Sequence, residues 1–246
     1  MKKIVLVLAL FASFLTVKAQ DSLSTKKIKS KTKFDLSNRA NDHFMLQYGM
    51  DGWNGTNDSI NPSGFSRHFN VYFMLDKPFK ANPHYSVGFG LGLGSSNMFF
   101  KNTYIDLKAR SAQLPFTDVS AENHFKKYKL TTVFLELPVE LRYVSNPETP
   151  DKGFKASIGA KVGTLLNAHT KGKDLQNKSG SSVYDNKYIA KESDKRFINS
   201  TRLAVTARLG FGNFSLDGSY QITNFLKDGA GPQIKPYSIG LTISGL

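Results

Sequence analysis

The sequence predicts an all-β protein, an eight-stranded antiparallel up-and-down transmembrane β-barrel. Between Leu130 and Val144 apolar and polar residues alternate with a period of two, as in a strand with one apolar and one ionic face. Charges of the opposite sign recur on later segments, which indicates a shared polar interior and an apolar exterior that faces lipid. Connections that alternate between short and long are typical of barrels with both termini in the periplasm.

The N-terminal segments predict export. Residues 1–19 have the charged start, the apolar run and the small-residue cleavage site of a signal peptide, with cleavage after Ala19. Residues 20–42 are basic and poor in apolar side chains, which predicts a disordered periplasmic tail, with a docking role as the alternative. The barrel domain is expected over 43–246.

The barrel strands are predicted from eight segments with alternation or strand composition. They lie at roughly 43–53, 66–76, 84–97, 129–144, 153–167, 200–212, 214–226 and 235–246. Most exceed the ~9 to 11 residues that a tilted strand needs to cross a bilayer. The connections after the second, fourth and sixth segments are short, and those over 98–128 and 168–199 are the longest.

The polar rows of these segments predict an ion-pair network inside the barrel. Its members are Glu136, Glu140, Arg142, Lys155, Lys161, Arg202, Arg208 and Asp217. Eight strands enclose a space that side chains just fill, so we expect a plugged barrel without a solute-sized channel.

Two local features predict backbone geometry. Glycines at 88, 90, 92 and 94 share one inward row, where they would leave room for the long Arg and Lys side chains opposite. Pro138 cannot donate to a strand ladder, so it predicts a bulge or bend in the fourth segment.

The sequence argues against most catalytic and metal sites. It has no Cys, which excludes disulfides, thiol nucleophiles and thiolate metal sites. Its five histidines are too dispersed for a zinc motif, so no metal and no cofactor are predicted. His84, Ser86 and a nearby Glu136 or Glu140 supply the residue types of a Ser-His-acid triad. Their row faces inward, however, which favours polar filling of the lumen, and no catalytic residue is predicted.

The formal charge of +14 predicts partners that carry phosphate. An exported protein meets lipopolysaccharide and anionic headgroups, so outer-membrane lipid is the expected partner and nucleic acid is not. The two long loops are rich in basic residues, which fit contacts to lipopolysaccharide phosphates and ordinary solubility equally well. These residues are Lys101, Lys108, Arg110, Lys126, Lys127, Lys171, Lys173, Lys178, Lys187, Lys191, Lys195 and Arg196.

The fourth segment, from Phe134 to Tyr143, resembles a strand typical of the PorT-like outer-membrane β-barrel family. Weaker likeness covers the chain from about residue 43 to the end, through the Gly-rich third segment, Ser157 to Gly163 and Gly218-Ser219-Tyr220. The resemblance implies an eight-stranded outer-membrane barrel, in a family whose members mostly lack an assigned activity. The namesake takes part in a secretion system of the Bacteroidetes type.

The sequence therefore predicts a non-enzymatic structural or interaction protein of the bacterial outer membrane. An accessory role in a secretion or envelope assembly, with other envelope proteins as partners, is one form of this hypothesis. The alternatives are a barrel hydrolase that modifies lipid A and a porin for small solutes.

Overall fold

The structure, a computed structural model, describes residues 44–56, 60, 62–63 and 65–245. The predicted signal peptide, the predicted tail and His43 lie outside the described residues, and their assignments stay predictions.

Strands account for most of the described chain. They are β1 (Phe44–Asn54), β2 (Arg67–Pro78), β3 (Tyr85–Phe100), β4 (Thr103–Ile105), β5 (Phe116–Asp118), β6 (His124–Val144), β7 (Phe154–Gln176), β8 (Ile189–Ser193), β9 (Thr201–Phe211), β10 (Phe214–Gln221) and β11 (Lys235–Ser244). One short 3-10 turn, Pro150–Lys152, lies between β6 and β7. Among the described residues, no helix has the length and apolar character needed to cross a bilayer.

Eight of the strands form a closed antiparallel ring. The order is β1, β2, β3, β6, β7, β9, β10, β11, and β11 pairs back onto β1 with Tyr48 opposite Leu241. Neighbours in the ring follow each other along the chain, apart from short strands in the loops, so the topology is up-and-down. A closed ring leaves no sheet edge with unpaired backbone groups, which is the condition for spanning a bilayer with strands. The predicted fold class is confirmed.

The two faces of the ring differ in the way the period of two predicts. Leu137 and Ile158 point outward with 52% and 66% of their surface exposed. Glu136, next to Leu137, points inward and is 0% exposed. Large apolar side chains on the outside and buried charges within are the reverse of a water-soluble domain, and they fit a barrel that faces acyl chains.

Three of the predicted strand limits are wrong. β6 begins at His124 and β7 continues to Gln176, although both stretches were predicted as loop, whereas β10 ends at Gln221 instead of 226. At the end of the ring that carries the long loops, which we call the upper end, β6 and β7 continue to pair with each other beyond the other strands. β8 pairs with this continuation of β7. This strand extension (124–132, 167–176 and 189–193) is held by backbone pairing between mostly polar residues, so it lacks the regular apolar alternation that marks the spanning strands. β4 and β5 form a further hairpin within the predicted loop 98–128.

A β-bulge separates the spanning part of β7 from the strand extension. Val133 pairs with Asn167 but Phe134 pairs with Leu165, so Leu166 is the additional residue. An extra residue shifts the side-chain alternation by one. Outward positions on β7 are therefore even-numbered below the bulge and odd-numbered above it, which places His169, Lys171 and Lys173 on the outside.

Pro138, where a bulge or bend is predicted, causes no shift of register between β3 and β6. Phe89 pairs with Val139 and Gly92 with Glu136, so the register between β3 and β6 is the same on both sides of the proline. The ladder is interrupted only at Leu137 and Pro138, which have no registered partner on β3. Since proline lacks a backbone donor, it removes hydrogen bonding locally while the pairing on either side keeps the register.

Candidate functional site

Glu136 is the centre of a charged cluster in the middle of the lumen. Arg202 Nη1 lies 2.9 Å from Glu136 Oε1, and Lys161 Nζ lies 3.3 Å from Oε2. The Tyr72 hydroxyl donates to the same Oε2, and Lys161 Nζ lies 3.4 Å from the Tyr72 oxygen. Each carboxylate oxygen therefore has a cationic partner, which is what allows a full charge to remain buried.

A second cluster surrounds Glu140, nearer the end with the short turns. Arg208 Nη2 donates to Glu140 Oε2 at 2.6 Å, and Arg142 Nε donates to the same oxygen at 3.0 Å. Arg142 Nη1 also lies 3.6 Å from Asp76 Oδ1, which accepts a 2.6 Å hydrogen bond from Ser86. The four strands that supply these residues, β2, β3, β6 and β9, are thus connected through polar contacts across the lumen.

The remaining two residues of the predicted network have other surroundings. Asp217 accepts a 2.7 Å hydrogen bond from Thr242, and a chain of side-chain bonds continues from Thr242 through Gln47 to Asn70. Lys155 is buried and lines a cavity with Arg142, Arg208 and Asp76. The structure thus brings together six of the eight predicted residues as ion pairs: Glu136 with Lys161 and Arg202, and Glu140 with Arg142 and Arg208.

Sequence reasoning missed Tyr72 and Asp76, which complete the two clusters. Both lie on the inward row of β2, together with His68 and Asn70. Tyr72, His68 and Asn70 are buried, and Asp76 is partly exposed. The period of two in the second segment contains this signal. His68 and Ser96, which bond to Asp51, form another polar group that was not predicted.

The glycine row of β3 provides the space that the clusters occupy. A Cβ atom at Gly88 would lie 2.4 Å from Arg142 Nε, and one at Gly94 would lie 2.7 Å from Glu136 Oε2. At Gly92 the nearest side chain is Tyr72, and at Gly90 it is Met74. The glycine row therefore leaves room for large side chains, as predicted. Of the four side chains that fill this room, only Arg142 is an Arg or Lys, the residue types that the sequence predicts there.

The triad residue types do not assemble into a nucleophilic site. Ser86 is 1% exposed, and its hydroxyl donates to Asp76. The His84 ring instead donates from Nδ1 to the Val144 carbonyl at 2.9 Å and stacks on Tyr143. A Ser-His pair needs the two side chains within hydrogen-bond reach of each other, and here each contacts a different group.

An apolar plug fills the upper lumen, at the end with the long loops. Trp53 packs against Phe100 and Phe225, with ring centroids 5.4 and 4.8 Å apart. Other members come from the barrel wall and from all four upper connections, and they include Ile60, Met98, Ile105, Leu107, Leu114, Tyr128, Leu130, Phe134, Phe197, Ile198, Leu226 and Ile234. The plug was not predicted, because its loop residues are spaced without a strand or helix period.

The spaces left in the lumen are small. Cavities beside the Glu140 cluster, between Tyr72 and Asp217, and between Arg202 and Trp53 have volumes of about 20, 10 and 10 Å³. A cavity of that size holds about one water molecule. Charged clusters below and the apolar plug above therefore leave no passage for a solute among the described residues. Within that same part of the chain, no group of three or more His, Asp or Glu side chains is placed to hold a metal ion.

Comparisons with known proteins give a family match and matches to solved structures. The family model described as outer membrane protein beta-barrel domain matches residues 38–227. No curated protein matches the chain. A crystal structure of Ail, the attachment invasion locus protein of Yersinia pestis, in complex with the heparin analogue sucrose octasulfate is 15% identical and covers 83% of this chain and 96% of Ail, with a TM-score of 0.38. A second Ail structure is 14% identical and covers 84% of this chain and 99% of Ail, with a TM-score of 0.32.

Proposed function

The chain belongs to the family of outer membrane proteins with a β-barrel domain, and from this premise we propose that it acts as a closed structural and interaction protein of the envelope. The observation that carries the proposal is the filled lumen, with ion pairs at Glu136 and Glu140 below the apolar plug. A barrel without a passage acts through the surfaces that it presents to lipid and to the outside, because binding residues concentrate on loops held by a rigid scaffold.

Neither alternative function is favoured by a specific contact. A porin needs a water-filled lumen, whereas the two lumen cavities beside the Glu140 cluster and beside Tyr72 each have room for about one water molecule. A lipid A hydrolase needs an exposed nucleophile beside a base, whereas Ser86 is buried against Asp76. The proposal is therefore a non-enzymatic protein whose partners are outer-membrane lipid, lipopolysaccharide and other envelope proteins, with an accessory role in secretion or envelope assembly as one form of it.

The predicted export signal belongs to the same proposal. Cleavage after Ala19 would leave a basic N-terminal tail on the periplasmic side, where β1 begins and β11 ends at the short-turn end of the ring. Lys108 and Lys178 are exposed on the long loops at the opposite end, where an external partner would meet them.

Electrical recording tests the closed lumen. The purified protein, folded into planar lipid bilayers, is expected to produce no conductance steps above the background of protein-free bilayers, because ions cannot pass Glu136 and the plug. A known porin in the same lipid is the positive control. Reproducible single-channel steps from the folded barrel would contradict the proposal.

Cross-linking of the barrel to its neighbours in native membranes tests the proposed interaction role. We expect an envelope protein to be captured by the wild type and lost from a variant with Lys108→Gln, Arg110→Gln and Lys178→Gln, because these side chains are exposed on the long loops. Equal capture by both would contradict a role for these loops.

A further inference from the structure

Basic side chains lie in a row across the outer surface of the strand extension. Lys129 on β6 is directly opposite Lys171 on β7, and Lys171 is directly opposite Lys191 on β8. His169 lies two residues before Lys171 on the same face, and Arg67 on β2 stacks over Phe99, the residue paired with Lys129. We call these five residues, Arg67, Lys129, His169, Lys171 and Lys191, the basic ladder.

The ladder faces away from the lumen. Lys129 continues the outward row of Leu137, Leu135 and Val133, since it has the same parity on β6. Lys171 reaches the outer face only because of the bulge at Leu166. The side chain of Glu192, next to Lys191, is on the opposite face of β8, where it accepts a 2.8 Å hydrogen bond from Tyr104.

The ladder repels itself. Like charges directly opposite each other on a sheet are destabilising. Burial lowers the pKa of Lys129, and the neighbouring Lys171 and Arg67 lower it further. Burial likewise lowers the pKa of His169, and Lys191, Lys129 and Lys171 add to the effect. Among the described residues, the outward positions of the strand extension and of the adjoining end of β3 (95–100) carry no acidic side chain, and Lys129 Nζ bonds to the neutral Asn97 at 2.6 Å.

The height of the ladder matches a membrane surface. The outward apolar stretch of β6 runs from Tyr143 up to Val133, which spans about 25 Å across a bilayer for a strand rise of about 3.3 Å and a tilt of about 40°. Lys129 then lies about 10 Å above Val133 along the membrane normal, at the level of the lipid headgroups. Arg67 and Lys129 share the Phe99 ring, at 5.3 and 5.9 Å, which places cations at an apolar boundary.

We propose that the basic ladder binds the phosphate groups of lipopolysaccharide in the outer leaflet. The phosphates would supply the counterions that Lys129, Lys171 and Lys191 lack on their own face, through charge-assisted contacts, while the acyl chains lie against Leu135 and Val133 below. The proposal rests on the lipid-facing orientation and the lipopolysaccharide partner proposed above. It goes beyond them by assigning the binding to the wall of the barrel and not to the loop lysines.

Lipid A binding to the folded, full barrel in neutral detergent micelles, measured by native mass spectrometry, tests this assignment. The variant K129Q/K171Q/K191Q is expected to bind bisphosphorylated lipid A at least tenfold more weakly than the wild type. The matched control K80Q/K187Q/K227Q removes three exposed lysines of the connections and is expected to bind like the wild type. Dephosphorylated lipid A is expected to bind weakly to all three proteins.

Two further readouts keep the outcome unambiguous. Without lipid A, the ladder variant is expected to be at least as heat-stable as the wild type, since its substitutions remove repulsion, so weak binding cannot be ascribed to misfolding. Wild-type affinity in the ladder variant, equal affinity of the wild type for dephosphorylated lipid A, or equally tight binding of inorganic phosphate alone would each overturn the proposal. The conductance experiment does not depend on lipid A. Single-channel steps would therefore contradict the closed barrel without affecting the lipid A result, and weak lipid A binding would not affect the conductance result.

Discussion

Replacing Glu136 with glutamine is expected to lower the free energy of unfolding by about 3–5 kcal/mol, the cost of breaking a buried ion pair from one side. Glutamine keeps the size of the side chain but leaves buried Lys161 and half-buried Arg202 without the carboxylate that contacts both. Urea unfolding of the barrel in lipid vesicles measures the change. Trp53 is the single tryptophan of the chain and lies in the plug, so its fluorescence reports the loss of the folded lumen.

Two companion variants separate charge burial from a general effect of Glu→Gln. Glu122→Gln changes an exposed carboxylate and is expected to leave the unfolding midpoint unchanged. Glu136→Gln with Lys161→Met removes a partner along with the carboxylate and is expected to recover part of the loss, since removing both members of a buried pair costs less than removing one. A single Glu136→Gln variant as stable as the Glu122→Gln control would contradict the charged cluster.

Replacing Leu137 with arginine is expected to lower the free energy of unfolding in vesicles by about 2–4 kcal/mol, as for a charge placed near the bilayer midplane on the outside of a barrel. Leu137 lies near the middle of the outward apolar stretch of β6 and is 52% exposed. On a surface that faces water, the same change at so exposed a position falls within about 0.5 kcal/mol of zero.

Val183→Arg provides the reference for that substitution. Val183 lies between β7 and β8 on the loop side, and 41% of its surface is exposed. Its replacement is expected to leave stability in vesicles unchanged, because arginine there meets water. A Leu137→Arg variant that unfolds at the same urea concentration as Val183→Arg would show that the apolar belt does not contact acyl chains.

The faces of the spanning strands can be predicted from the sequence because they depend on local parity. Leu137 and Glu136 are neighbours, and a strand must place them on opposite sides of the sheet. With eight such segments and alternating connections, the closed ring follows from the need to pair every edge in a bilayer.

The contacts across the lumen could not be predicted to the same extent. Tyr72 meets Glu136 because of the register between β2, β3 and β6, and register is a property of the assembled sheet. The extra residue at Leu166 reverses the parity of everything above it, so Lys171 cannot be assigned to a face without knowing the bulge. The plug joins Phe197, Phe225 and other residues of separate loops, whose packing no local pattern encodes.

Lipid exposure along β6 is the most direct test of the inside-out arrangement. The chain has no native Cys, so single cysteines at Leu135, Leu137, Val139 and Leu141 can each carry a nitroxide label in the barrel folded into vesicles. Accessibility to oxygen and to a water-soluble nickel chelate is then measured by power-saturation spectroscopy, with exposed Lys178→Cys as the aqueous reference. A barrel whose apolar belt faces acyl chains predicts high oxygen and low nickel accessibility at all four positions. Nickel accessibility equal to that at position 178 would contradict it.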